Sequence, residues 1–179
     1  MAPRLFHASE ELDIARFEPR PSPSTNMTLG TCVWSICEAH LPNYLLPREC
    51  PRVCFRRGPQ TTEADAERFL GAAGHVVAFP ATWLDTVRRV RLALYEMPPQ
   101  TFFEADAEAG YWISRETVEP VRRTIVEDAL YALIEAGAEV RVLQDIWPLR
   151  DAVVASSLRF SIIRYRNAEP RPAQGRTGG

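Results

Sequence analysis

Prolines and glycines divide this chain into short segments, and this limits its possible folds more than any other feature. The 179 residues include 15 Pro and 9 Gly, and each marks a point where a helix or an inner strand tends to end. The sequence therefore predicts many short elements rather than a few long helices.

Short runs of β-branched and aromatic residues between these breaks predict strands. The predicted strands are Arg4–Ser9, Thr31–Cys37, Arg52–Phe55, His75–Phe79, Leu92–Met97, Phe102–Phe103, Tyr111–Ser114, Glu139–Leu143 and Phe160–Tyr165.

Helix signals are fewer. The clearest predicted helix is Thr124–Ala136, because Thr124 and Glu127 have the spacing of a capping box and Gly137 follows as a stop. Other predicted helices are His40–Leu46, Thr62–Leu70 with Thr62 as its cap, Ala81–Val87, and a helix opened by Pro148.

The pattern predicts an α+β fold with mixed, mostly antiparallel sheets and a few helices. We expect one globular domain over 1–166 and a disordered tail over 167–179.

Composition excludes several function classes. The formal net charge is −2, which gives no electrostatic reason to expect nucleic acid as a partner. All 21 basic residues are Arg, so mechanisms that need a Schiff-base or P-loop lysine are excluded. No apolar run has membrane-spanning length, and the opening MAPRLFHASEE lacks a signal-peptide core, so we expect a cytoplasmic protein. The oligomeric state stays open.

Four cysteines raise the question of a metal site. Cys32, Cys37, Cys50 and Cys54 lie close together in sequence, with His40 among them. Neither pair has the usual zinc-knuckle spacing, and Cys32 and Cys37 would point to opposite faces of a strand. We therefore expect no metal, and reduced thiols instead.

Two resemblances add to this interpretation. The segments LFHASEELDIARFEPRPSPS, CVWSICEAHLPNYLLPRECPRVCF, GYWISRETVEPV and WPLRDAVVASSLRFSIIRYRNA resemble an uncharacterised bacterial family with no assigned activity. More distantly, Leu5–Ser9 (LFHAS) resembles the opening strand of ADP-ribosyltransferase-like folds, in which a histidine is followed by a small residue and a hydroxyl. Val33–Ile36 takes the place of a later strand of those folds, and Tyr44 that of a second aromatic residue.

The second resemblance implies NAD as a substrate. His7 would position its ribose, with Ser9 as the hydroxyl that follows, and Trp34 and Tyr44 would hold the nicotinamide between their rings. Arg20 and Arg48 would bind the pyrophosphate, which guanidinium groups grip with paired hydrogen bonds.

Departures from that pattern leave alternatives open. Ala8 stands where the glycine is expected and Trp34 where a tyrosine is usual, and Gly110 falls at the place of the catalytic acid. Glu108 is then the neighbouring carboxylate proposed to assist catalysis beside His7, as glycosyl transfer or hydrolysis at the nicotinamide–ribose bond requires. The alternative is a non-catalytic module that binds a nucleotide or a protein. In the simplest reading, His7 is structural, Trp34 and Tyr44 are core aromatics, and the doublet Arg88–Arg89 is an exposed turn.

Overall fold

Two open sheets and the short helices around them make up the computed structural model, which describes residues 3–21 and 30–171. Its strands are β1 Leu5–Ser9, β2 Arg20–Pro21, β3 Thr31–Cys37, β4 Arg52–Arg56, β5 His75–Pro80, β6 Leu92–Met97, β7 Phe102–Asp106, β8 Tyr111–Ser114, β9 Arg122–Val126, β10 Ala138–Leu143 and β11 Arg159–Ile163. Its α-helices are α1 Glu63–Asp65, which continues as a π-turn over Ala66–Leu70, α2 Leu84–Arg89, α3 Ala129–Glu135 and α4 Trp147–Val154. Shorter 3-10 helices are Glu38–Tyr44, Ala81–Trp83, Pro99–Thr101 and Tyr165–Asn167. None of the helices described is both long and apolar enough to cross a membrane.

The predicted α+β class with mostly antiparallel sheets is confirmed. The larger sheet has the order β7-β8-β3-β1-β6-β9, with β2 beside β3, and every pair in it is antiparallel. The smaller sheet has the order β10-β5-β4-β11, and only its β10–β5 pair is parallel. Strand β5 lies between two partners and is buried along its whole length, which explains its continuous apolar run.

The main core lies between the two sheets. Phe6 and Ile36 of the larger sheet meet Val77 and Phe79 of the smaller one, and Leu133 of α3 completes the layer. A second core covers the other face of the larger sheet, with contributions from β1, β6 and the loop after β1. Its buried residues include Leu5, Phe17, Val33, Tyr95 and Met97. Because side chains alternate along a strand, neighbouring residues of β1 enter different cores.

A notch opens where β1 leaves β3. Strand β1 pairs with β3 only at its first two residues, Leu5 and Phe6. Strand β2 pairs with the opposite end of β3. Between these two contacts the described residues supply no strand partner for this edge of β3, and the ring of His7 reaches the backbone of Trp34 there. The notch thus places a titratable side chain at a gap in the sheet.

The prediction of a helix over Thr124–Ala136 is wrong in its first half. Residues Arg122–Val126 form the edge strand β9, and helix α3 begins only at Ala129. The β-branched Ile125 and Val126 pair with β6, and this pairing outweighs the capping-box signal. Gly137 follows α3 with a positive φ of 78°, as the predicted stop requires.

The last residues that the structure describes, 167–171, contact the rest of the fold. The Asn167 side chain donates to the Glu49 backbone oxygen at 2.8 Å, and Arg171 binds the Asp151 carboxylate. The rest of the predicted tail, 172–179, lies outside the described residues, as do 22–29 of the loop before β3 and the first two residues. The domain boundary at 166 stays a prediction.

Candidate functional site

His7 is the central residue of the notch. Its Nδ1 lies 2.9 Å from the backbone oxygen of Trp34, and because a carbonyl only accepts, Nδ1 carries the ring proton. Burial lowers the pKa of His7; the Trp34 carbonyl opposes this, and the charges of Arg48 and Arg20 add to it. The ring is therefore neutral at neutral pH, and Nε2 keeps a lone pair that can accept a hydrogen bond.

Four of the residues predicted to bind cofactor gather near the end of β1. Arg20 and Arg48 lie close enough to His7 for their charges to act on it. Ser9 shares the His7 face of β1, two residues on, and its Oγ accepts from the Glu11 backbone N–H at 3.0 Å. No acceptor for the Ser9 hydroxyl proton occurs among the described residues, so a ligand can accept it.

Trp34 and Tyr44 meet on the other face of the sheet. Trp34 alternates with Val33 and therefore points toward the core between the sheets, whereas His7 points toward the opposite core. Both aromatic rings contact Tyr111, with ring centroids 5.3 Å from Trp34 and 6.5 Å from Tyr44. The Tyr44 hydroxyl donates to that of Tyr111 at 2.8 Å. The structure thus brings the two predicted rings together around a third, but not with the ring of His7.

Two of these aromatic side chains have unusual polar surroundings. Burial, followed by the neighbouring Tyr111, raises the pKa of Tyr44, so its phenol stays protonated. The indole N–H of Trp34 is buried and finds no acceptor among the described residues.

Glu108 lies away from His7, in the turn between β7 and β8. Its carboxylate forms an ion pair with Arg159 of β11, and its backbone oxygen lies 3.0 Å from His40 Nε2. The Cys37 N–H donates to the Gly110 oxygen of the same turn at 3.0 Å, which fixes the turn at the last residue of β3. His7 bonds further back along that strand, at Trp34, so the two predicted catalytic residues are not brought together.

An open pocket of about 390 Å³ lies beside the end of β1. This volume falls within the roughly 300–1,000 Å³ of small-molecule sites. The walls come from the segment after β1, the loop before β4, and the turn and helix that follow β5. They consist of Glu10, Pro47, Arg48, Glu49, Trp83, Thr86, Arg89 and Val90.

The charged residues that line the pocket are two arginines and two glutamates, Arg48, Arg89, Glu10 and Glu49. Glu10 accepts the backbone N–H of Arg48 at 2.7 Å. Glu49 forms ion pairs with Arg164 and Arg166, both at 3.3 Å, and accepts from Asn167. Arg48 reaches Glu49 only at 3.9 Å, and Arg89 has no carboxylate partner among the described residues. The pocket therefore offers two guanidinium groups. Glu49 is shared with arginines outside the pocket, whereas Glu10, within the part of the chain described, accepts only a backbone N–H and keeps its charge there.

Sequence reasoning missed one wall of this pocket. Trp83, Thr86 and Arg89 are spaced three residues apart across a continuous helical stretch, and this spacing puts them on one side of it. That signal was present in the sequence. What the sequence did not reveal is that this stretch lies opposite Arg48, since the contact depends on how the two sheets pack.

The cysteines form no metal centre in the part of the chain described. Cys32, Cys50 and Cys54 are buried free thiols, and Cys37 is free and half-buried. No group of three or more His, Cys, Asp or Glu side chains able to hold a metal occurs among these residues.

Fold and pocket together define an α+β protein with two packed open sheets and an open pocket, lined by two arginines and two glutamates, at the end of its first strand. The chain belongs to a family of unknown function, DUF6886, whose model matches residues 6–168. No curated protein matches the chain, and no solved structure matches it.

Proposed function

We propose that this protein binds a phosphate-bearing nucleotide in the pocket at the end of β1, with NAD as the first candidate. The observation that carries this proposal is the pair of guanidinium groups, Arg48 and Arg89. Arg48 reaches a carboxylate only at 3.9 Å, and Arg89 has no carboxylate partner among the described residues. Guanidinium groups bind phosphate oxygens with paired, charge-assisted hydrogen bonds. A phosphate is therefore the ligand group that best matches the pocket.

The other residues fit the remaining parts of a dinucleotide. The Trp83 indole offers a flat surface for a base or a pyridine ring. His7 is neutral, and its Nε2 has no hydrogen-bond partner within the part of the chain described, which suits a ribose hydroxyl as donor. Ser9 lies on the same face of β1. Arg20 adds positive charge on the β2 side of the notch.

A non-catalytic nucleotide-binding module is the second candidate. Glycosyl transfer or hydrolysis at the nicotinamide–ribose bond calls for a carboxylate near the ribose to support the developing positive charge. Glu108 is instead paired with Arg159, in a turn bound to the last residue of β3, whereas His7 contacts Trp34 in the middle of that strand. This position favours binding without catalysis.

Saturation-transfer NMR with millimolar NAD tests the proposal. We expect transfer to the adenine and nicotinamide protons, and a strong loss of that transfer in Arg89→Ala. Losing one charge-assisted contact of about 1.5–3 kcal/mol weakens the affinity on the order of tenfold or more. The matched control is Arg88→Ala, because Arg88 is the exposed neighbour of Arg89 and does not line the pocket.

Two outcomes would overturn this proposal. The first is no transfer from the unaltered protein, and the second is equal transfer from both arginine variants. If NAD binds, release of nicotinamide followed over hours separates an enzyme from a binding module.

A further inference from the structure

A cysteine and a histidine meet at the end of β3, outside the proposed nucleotide pocket. Cys37 is the last residue of β3, and His40 lies in the 3-10 helix that follows directly. Because a 3-10 helix has three residues per turn, residues three apart stack above one another. Cys37 Sγ accordingly lies 3.1 Å from His40 Nδ1.

The His40 ring is held in place from three sides. It is only 5% exposed, and it packs so closely on Gly110 that a Cβ there would lie 2.2 Å from Nδ1. On the opposite edge, Nε2 contacts both the Glu108 backbone oxygen and the Arg56 guanidinium. The ring therefore cannot turn away from the sulfur.

These contacts define two arrangements of the ring proton. With the proton on Nε2, the ring donates to the Glu108 oxygen, and Nδ1 accepts the thiol proton of Cys37. With Arg56 donating to Nε2, the proton sits on Nδ1 and points at the sulfur, which then accepts that hydrogen bond. In both arrangements a ring nitrogen of His40 is the direct partner of the sulfur.

The charged surroundings favour a neutral ring next to the thiol. Burial lowers the pKa of His40 most, Arg56 and then Arg159 lower it further, and the Glu108 backbone and the Asp106 carboxylate oppose them. The other titratable side chains that line the same small cavity as His40 are Cys54, His75 and Glu108. In the arrangement with the proton on Nε2, Nδ1 of this neutral ring can take the thiol proton, which is how a histidine acts as a base.

We propose that Cys37 is a modification site, a nucleophilic thiol that uses His40 as its base and that small hydroperoxides oxidise. In this step the thiol proton moves to His40 Nδ1 and the sulfur attacks the distal oxygen of the hydroperoxide. The O–O bond breaks, and the departing alkoxide takes the proton back from His40 and leaves as an alcohol. The sulfur loses two electrons to the peroxide and becomes a sulfenic acid.

The other three thiols serve as internal references. Cys32, Cys50 and Cys54 are at most 1% exposed. Burial raises the pKa of Cys32, and it raises those of Cys50 and Cys54 to about 12. Buried thiols of this kind are inert toward electrophiles.

The test is the rate of iodoacetamide labelling at neutral pH, measured for each cysteine by peptide mass spectrometry. We expect Cys37 to be labelled first and faster than N-acetylcysteine. In His40→Asn its labelling should slow on the order of tenfold, since an unassisted thiol is only a few per cent thiolate near pH 7. His75→Asn is the matched control, because His75 lines the same cavity as His40 but pairs with Asn43 rather than with the sulfur.

Exposure alone predicts the opposite result for His40→Asn, because a smaller side chain opens access to the sulfur. Labelling of Cys37 that is as fast or faster in that variant therefore overturns the proposal. If His40→Asn does not fold, as judged by circular dichroism, the proposal is tested on the unaltered protein instead. Brief peroxide treatment followed by dimedone should then trap a sulfenic acid on Cys37, and trapping on no cysteine, or on a buried one, rejects the proposed site.

Discussion

Gly110 packs directly against the histidine of the cysteine–histidine pair. It has a positive φ of 71°, and an added Cβ would lie 2.2 Å from the His40 ring. The ring cannot retreat without losing its contacts with Cys37 and Glu108. Both the backbone conformation and the close approach therefore require glycine here.

We predict that Gly110→Ala destabilises the protein by about 2 kcal/mol or more, because left-handed strain and overpacking act together. Urea unfolding followed by circular dichroism measures this change. The control is Gly74→Ala, since nothing lies within 4 Å of a Cβ at that position. We expect Gly74→Ala to stay within about 1 kcal/mol of the unaltered protein, and equal losses in the two variants would contradict the close-contact explanation.

The candidate site shows how far single residues can be predicted. The first strand and its histidine were recognisable from LFHAS, and the residues placed near it, Ser9, Arg20 and Arg48, lie at that end of β1. The prediction that His7 and Trp34 hold parts of the same NAD requires both side chains to lie on the same face of the sheet. That depends on strand register, and Trp34 faces the other core. Trp83 and Arg89 lie in the site only because the two sheets pack against each other, and no local sequence pattern predicts that packing.

At the scale of elements, strands were easier to predict than helix ends. Strand β3 has the predicted bounds Thr31–Cys37, because its β-branched and aromatic run is uninterrupted. The helix predicted from Thr124 failed because its apolar residues also fit an edge strand against β6. Three-residue spacing of Thr and Glu is a local signal, and long-range strand pairing overrode it.

We predict that Asp128, the N-cap of α3, contributes more to stability than Thr124, the N-cap predicted from the sequence. The Asp128 side chain accepts the Tyr131 backbone N–H at 2.9 Å. Asp128→Ala should therefore cost about 1 kcal/mol of unfolding free energy. Thr124→Ala, at an exposed position of β9, should cost less than about half of that.

Thermal or urea unfolding of the two alanine variants measures this difference. Helix α3 carries Ala129 and Leu133, both fully buried in the core between the sheets, so loss of its cap should reduce global stability. A larger loss in Thr124→Ala than in Asp128→Ala would instead support a helix that starts at the capping box.

At the scale of the whole molecule, strand β5 of the smaller sheet is bound to the 3-10 helix that carries His40 of the cysteine–histidine pair. Strand β5 begins with His75, whose Nε2 lies 2.8 Å from Asn43 Oδ1 in the 3-10 helix that also carries His40. Because an amide oxygen only accepts, Nε2 carries the proton and donates. The first residue of the buried strand thus ties the smaller sheet to the segment that follows β3.

This buried histidine makes the stability of the fold depend on pH. Burial, then the charges of Arg56 and His40, lowers the pKa of His75 to about 4, whereas the unfolded value is 6.5. Below the unfolded value the unfolded chain takes up a proton that the folded chain refuses, so stability falls as pH falls toward about 4. Above the unfolded value the contribution of His75 is fully present.

We predict that the unaltered protein loses about 2 kcal/mol between about pH 7 and pH 5 through His75 alone. His75→Gln keeps an N–H donor for Asn43 but cannot be protonated, so it should show a correspondingly smaller loss. Urea unfolding at the two pH values measures the difference, and most carboxylates titrate below this range and contribute little to it.

His7 and His40 are present in both the unaltered protein and the variant, and their lowered pKa values give the same residual loss of stability in each. An identical pH dependence in the two chains would mean that His75 is protonated in the folded protein as readily as in the unfolded one, which its burial and the adjacent Arg56 oppose.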